Sequence, residues 1–124
     1  MITILAVALG GALGSVARYL VVKAFSESLG AGFPYGTLAV NVLGCFAAGS
    51  LYALLVERMG AANEWRGLVL VGFLGGFTTF SAFSIETFNL MEEGAWAKAG
   101  MNVSLSVILC ILATWIGVSI AKQL

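Results

Sequence analysis

Charged residues divide the chain into four long apolar stretches that contain no Asp, Glu, Lys or Arg. These stretches cover positions 2–17, 28–56, 67–85 and 99–121. A helix needs about 20 mainly apolar residues to cross the hydrocarbon core of a bilayer. The first stretch reaches this length if Arg18 lies near the helix end and extends its guanidinium toward the membrane surface. The second is read from residue 33, because Pro34 suits the first turn of a helix.

The pattern predicts an all-α membrane protein in which residues 1–124 form one domain. The predicted transmembrane helices cover about residues 2–22, 33–56, 67–90 and 99–121. The connections are short and hold most of the charges, and Trp65 and Trp96 lie at span edges, where indole rings favour the membrane interface. Four helices enclose little space, so we expect the chain to assemble with further copies.

Composition excludes several classes of protein. Hydrophobic residues make up 60% of the chain and charged residues only 10%, whereas about 25% of a soluble domain is charged. The 6 Lys and Arg balance the 6 Asp and Glu, so no basic excess is available to bind nucleic acid. His is absent, which removes the commonest general base and the commonest zinc ligand. We therefore expect neither a water-soluble enzyme nor a nucleic-acid partner.

The loop charges give almost no orientation signal. Arg58, Arg66 and Lys122 lie on one side of the four predicted spans, and Arg18, Lys23 and Lys98 lie on or near the other. Because the positive-inside rule compares Lys and Arg between the two sides, neither orientation is favoured. This balance favours a chain that inserts in both orientations and pairs with an inverted copy of itself. Two opposed copies would resemble the inverted repeats within a single chain of larger transporters. The alternative is that one weak signal, such as the 57–66 loop, sets the orientation.

The middle of the third span contains a sequence that weakens a helix. Gly75 and Gly76 are followed closely by the adjacent pair Thr78 and Thr79. Each Gly costs about 1 kcal/mol of helix stability relative to Ala. The segment therefore predicts a broken third helix, whose freed carbonyls and helix ends could contact ions. A simple kink with packing glycines is the alternative.

A few polar and aromatic side chains within the spans are candidates for contact with an ion. Phe80 and Phe83 are three residues apart and share a helix face, and the edges of aromatic rings carry partial positive charge. Asn41 lies mid-span with Thr37 one turn before it. Buried polar groups in a membrane need partners or water, and hydrogen bonding between helices is the alternative role. No carboxylate lies centrally in a span, which disfavours a proton-coupled pump.

Three segments together resemble the CrcB/Fluc family of fluoride ion channels. The sequence Gly-Gly-Phe-Thr-Thr-Phe-Ser at 75–81 is similar to the family signature. Residues 10–19 and 36–44 match the motifs of its first and second helices. Their order and spacing and the total length fit the family over nearly the whole chain.

The resemblance implies an antiparallel homodimer that carries fluoride passively out of the cell across the inner membrane. It assigns ring edges in the fluoride pathway to Phe80 and Phe83, and an amide donor to Asn41. It also assigns a polar track to Thr37, Ser81 and Ser106. Arg18 would flank the aqueous entrance. A structural Na⁺ at the dimer centre would be held by the backbone carbonyls of Gly75 and Thr78. Two positions depart from the family pattern: Ala82 replaces a frequent Thr, and Cys110 replaces a common Ser.

Two other classes of protein stay open. Small multidrug/proton exchangers also have four spans and dual topology, but they depend on a carboxylate within the first helix, and this first helix has none. Arg18 could also pair with Glu86 rather than attract anions. The second alternative is a noncatalytic subunit that packs into a larger complex.

Overall fold

The computed structural model describes residues 1–124 and is entirely helical. Four long helices follow one another: α1 (Ile2–Leu29), α2 (Tyr35–Arg58), α3 (Asn63–Glu92) and α4 (Trp96–Gln123). All four are long and apolar enough to cross a membrane. The chain is therefore a multi-pass membrane protein.

The helices extend beyond the apolar stretches. The first helix continues to Leu29, past the predicted end at residue 22, and α3 begins at Asn63 rather than at 67. The flanking charges lie in terminal turns of the helices, since a charged side chain ends an apolar stretch without ending a helix. Gly30 ends α1 with a positive φ of 77°, and its N–H donates to the carbonyl of Ser26 at 2.9 Å.

Close backbone contacts hold the helices together in two pairs. The first half of α3 packs on α1, and α2 packs on α4. A Cβ atom on Gly10 or Gly14 would clash with the backbone of α3, and one on Gly49 would clash with the carbonyl of Thr114. Small residues at such contacts let helices approach closely where the surrounding lipid offers no hydrophobic driving force.

The third helix consists of two segments, named here α3a (63–77) and α3b (Ser81–Glu92). Part of α3a, Gly67–Leu74, has the wider π-helical geometry. A fully buried amide anchors α3b to α4: Asn102 donates to the Thr87 hydroxyl at 2.9 Å, and Thr87 donates to the Phe83 carbonyl at 2.7 Å. The two segments meet at residues 78–80, beside α2.

Candidate ion pathway at residues 78–80 of the third helix

Segment α3a ends at Phe77 and α3b begins at Ser81, and the last helical hydrogen bond of α3a runs from the Thr78 N–H to the Leu74 carbonyl at 3.0 Å. Thr78 has an extended backbone, with φ −88° and ψ 159°. Its hydroxyl still donates to the carbonyl of Leu74 at 2.9 Å. Between the two segments, the Thr78 carbonyl and the Phe80 N–H have no backbone partner, whereas the Phe80 carbonyl accepts from the Ser84 N–H at 2.9 Å.

Asn41 on α2 binds the peptide groups on both sides of Thr79. Its Nδ2 donates to the Thr79 carbonyl at 2.9 Å, and its Oδ1 accepts from the Thr79 N–H at 2.8 Å. These two bonds satisfy an extended backbone at membrane depth, where unpaired peptide groups are costly. An amide side chain has two N–H donors, so one donor of Asn41 has no partner within the chain.

Side chains divert two backbone amides from their usual helical acceptors. The Thr79 N–H bonds Asn41 instead of the Gly75 carbonyl, and the Ala82 N–H bonds the Thr79 hydroxyl at 3.2 Å instead of the Thr78 carbonyl. The carbonyls of Gly75 and Thr78 consequently lack helical hydrogen bonds. Past them, the N–H groups of Phe80 and Ser81 donate to no acceptor within the chain.

A cavity of about 330 Å³ opens beside residues 78–80, which we name the Phe80 cavity. Its polar and aromatic lining includes Asn41, Thr79, Phe80, Phe83 and Ser106, and no charged residue lines it. The two Phe rings are tilted by 52° with centroids 5.2 Å apart. The Ser106 hydroxyl is buried and has no hydrogen-bond partner. The cavity thus offers ring edges and uncharged hydrogen-bond donors to a small ligand.

A second cavity, of about 260 Å³, lies across Thr79 and contains charged groups; we name it the Arg18 cavity. Thr37 and Glu86 line it with Arg18, and the Thr37 hydroxyl donates to Glu86 Oε1 at 2.7 Å. The Arg18 Nε and the Glu86 Oε2 are buried without partners, and the two residues form no ion pair. Because Thr79 lines both cavities, it separates a charged compartment from an uncharged one.

A family model described as "CrcB-like protein, Camphor Resistance (CrcB)" matches residues 5–118. The chain belongs to the CrcB family. The resemblance that the three sequence motifs indicate is confirmed by this match.

Relatives of this CrcB chain carry the name "Fluoride-specific ion channel FluC". The protein of Magnetococcus marinus is 50% identical over 94% of both chains. That of Geobacter sulfurreducens is 48% identical over 100% of both chains. That of Methylococcus capsulatus is 49% identical over 99% of this chain, which spans 54% of the relative's length. These names support the expectation that the chain is not an enzyme.

The structure divides the predicted CrcB site residues between the two cavities. Asn41, Phe80, Phe83 and Ser106 come together in the Phe80 cavity, whereas Thr37 and Arg18 line the Arg18 cavity. Ser81 lines neither: it is exposed, and its hydroxyl lies 3.4 Å from that of Thr79.

Sequence reasoning missed the part that Thr79 plays at this site. Its N–H and carbonyl bind Asn41, its hydroxyl accepts from Ala82, and it borders both cavities. The sequence marks it only as the second of two adjacent Thr residues, because its partner on α2 is distant along the chain. Cys45 and Cys110, which the sequence does not mark as site residues, also line the Phe80 cavity.

Proposed function

We propose that this CrcB protein is a passive fluoride-selective channel that exports fluoride across the inner membrane. The observation that supports it most is the Phe80 cavity, in which an amide, a hydroxyl and two aromatic rings converge at residues 78–80 without a charged group. Relatives about half identical to this chain are named fluoride-specific ion channels. The conclusion follows from the chemistry of the cavity and from the family together.

Weak, uncharged donors suit the passage of a strongly hydrated anion. A pore must replace the water around the ion with several contacts, yet no single site can hold the ion tightly if it is to leave. The unpartnered hydroxyl of Ser106, the second N–H of Asn41 and the ring edges of Phe80 and Phe83 meet both requirements. A charged Arg in the same cavity would bind the anion too tightly for rapid release.

The Arg18 cavity serves in this proposal as the aqueous entrance. Its Arg18 side chain, which forms no ion pair with the Glu86 carboxylate in the same cavity, supplies a positive charge that attracts anions. The polar track combines Ser106 in the Phe80 cavity with Thr37 in the Arg18 cavity and with Ser81, whose hydroxyl lies 3.4 Å from that of Thr79. Thr79 separates the two compartments, so an ion that passes from one to the other moves along its peptide group.

An inverted second copy completes the channel in this proposal. Ser81, Ser84 and Gly75 are exposed at mid-span, and a Cβ on Gly75 would meet open space. Free hydroxyls and an unpaired carbonyl are unfavourable against lipid, so a protein surface is expected to cover them. The equal number of cations on the two sides of the membrane supports insertion in both orientations, and hence an antiparallel homodimer.

We propose further that Gly75 and Thr78 hold a structural Na⁺ through their carbonyls. Both oxygens lack a helical donor, and hard cations bind such carbonyl oxygens. A bound cation would supply positive charge that offsets the cost of an anion in a low-dielectric interior.

The test is fluoride release from liposomes that contain the purified protein, followed with a fluoride electrode. We expect rapid release of fluoride, and no release of chloride from matched vesicles. Equal release of both anions, or no release of fluoride, would contradict the proposal. Proton-coupled uptake of an aromatic cation that Glu86→Gln abolishes would instead favour a multidrug exchanger, since Glu86 is the acid in the Arg18 cavity.

A further inference from the structure

Two free cysteines lie next to each other in the wall of the Phe80 cavity. Cys45 belongs to α2 and Cys110 to α4, and both line the cavity and are half-buried. Both residues line the same cavity as Asn41 and Ser106. The Thr114 hydroxyl contacts both backbones, at 3.2 Å from the Cys45 carbonyl and 3.0 Å from the Cys110 carbonyl.

The close packing of α2 on α4 fixes this thiol pair. The absence of a side chain on Gly49 lets the carbonyl of Thr114 approach α2, one turn from both cysteines. Backbone packing therefore brings the two cysteine-bearing turns together at the wall of the Phe80 cavity.

We propose that Cys45 and Cys110 form a binding site for a soft, two-coordinate metal cation of the Hg²⁺, Ag⁺ or Cu⁺ class, and that its occupation closes the pathway. Thiolates are the ligands that soft cations prefer. With Hg²⁺, both S–H bonds break, two Hg–S bonds form and two protons leave to the solvent, so no oxidant is required. The product carries no net charge, which favours it in a low-dielectric interior.

The surroundings of the pair select against metals that need more ligands. Zinc takes four ligands in structural sites. The chain contains no group of three or more His, Cys, Asp or Glu side chains that could hold a metal ion. Two thiols supply the full ligand set of a two-coordinate ion and leave Zn²⁺ two ligands short.

The first measurement is metal binding, which does not depend on fluoride conduction. Purified protein is exposed to HgCl₂, washed with a monothiol competitor, and analysed for mercury per chain by mass spectrometry. We expect one Hg²⁺ per chain in the wild type. Because two linked ligands can exceed a single one by about 100-fold or more, Cys45→Ser and Cys110→Ser should each lose the metal to the competitor. Zn²⁺ should not be retained by any of the three proteins.

The second measurement is fluoride release from liposomes before and after HgCl₂, with each variant compared with its own untreated rate. This arm rests on the proposed function. We expect release from the wild type to fall by about tenfold or more, in keeping with a pathway that a bound ion can plug, and to recover with a dithiol. Release from the single-cysteine variants should change less than twofold.

Three results would overturn this inference: mercury held equally by the single variants, retention of Zn²⁺, or mercury bound by the wild type without loss of fluoride release. Failure of the untreated wild type to conduct fluoride would instead contradict the proposed function, and the binding result would still decide whether the metal site exists.

Discussion

Replacing Asn41 by Ala tests whether the two hydrogen bonds to Thr79 create the conducting geometry. The substitution removes the donor to the Thr79 carbonyl and the acceptor for its N–H, at 2.9 and 2.8 Å. A net hydrogen bond in a folded protein contributes about 1 kcal/mol, and one between membrane helices about 0.6 kcal/mol. The two bonds together are therefore worth about 1 to 2 kcal/mol.

We expect fluoride release from Asn41→Ala liposomes to slow by about tenfold, because a loss of about 1.4 kcal/mol in the conducting state corresponds to that factor. The fluoride electrode measures the rate. Hydrogen exchange of a peptide spanning residues 78–82 measures whether the Thr79 N–H has lost protection. Faster exchange together with slower release is the expected result.

The matched control is Asn102→Ala. Asn102 is also a buried amide, and it bonds the Thr87 hydroxyl, but it lies outside both cavities. This variant should lose a similar amount of stability per hydrogen bond while its fluoride release stays within about twofold of the wild type. Wild-type release by Asn41→Ala, or equal losses of release in both variants, would refute the role assigned to Asn41.

Three further substitutions test other parts of the structure. Phe80→Ile removes the ring edge from a side chain that is 79% exposed in the single chain, so release should fall while thermal stability in detergent is unchanged; unchanged release would remove Phe80 from the pathway. Ser106→Ala deletes a buried hydroxyl that has no hydrogen-bond partner. The melting temperature should therefore not fall, whereas fluoride release should slow. Gly49→Ala should destabilise the protein by about 1 to 3 kcal/mol through contact with the Thr114 carbonyl. The control Gly100→Ala, where a Cβ meets open space, should stabilise its helix by up to about 1 kcal/mol. Equal melting temperatures in these two glycine variants would contradict the packing of α2 on α4.

Hydropathy alone predicts four helices, because the length of an apolar stretch reflects the thickness of the bilayer. It does not predict where the helices end. The charges at Lys23 and Glu27 lie within the last turns of α1 and approach each other at 3.9 Å. In a surface turn, such a pair is compatible with a helix.

The sequence groups Asn41 with Thr37 because they are one turn apart, yet the two side chains point to different partners. Asn41 binds Thr79, and Thr37 binds Glu86. A spacing of four residues places two side chains on one helix face, but it does not determine which groups of another helix lie opposite. The contacts across residues 78–80 depend on an extended backbone at Thr78, which no periodic pattern describes.

The two ends of the helical segments that meet at residues 78–80 offer opposite electrostatic surfaces. Near the end of α3a, the Gly75 carbonyl lacks a helical donor, and at the start of α3b the N–H groups of Phe80 and Ser81 lack an acceptor. Helix C-termini favour cations and N-termini favour anions. A single interruption of the helical hydrogen bonds therefore provides both a carbonyl surface for a cation and an amide surface for an anion. Asn41 keeps the two surfaces apart by binding the peptide groups of Thr79 between them. It follows that a continuous helix through residues 78–80 would remove both surfaces together.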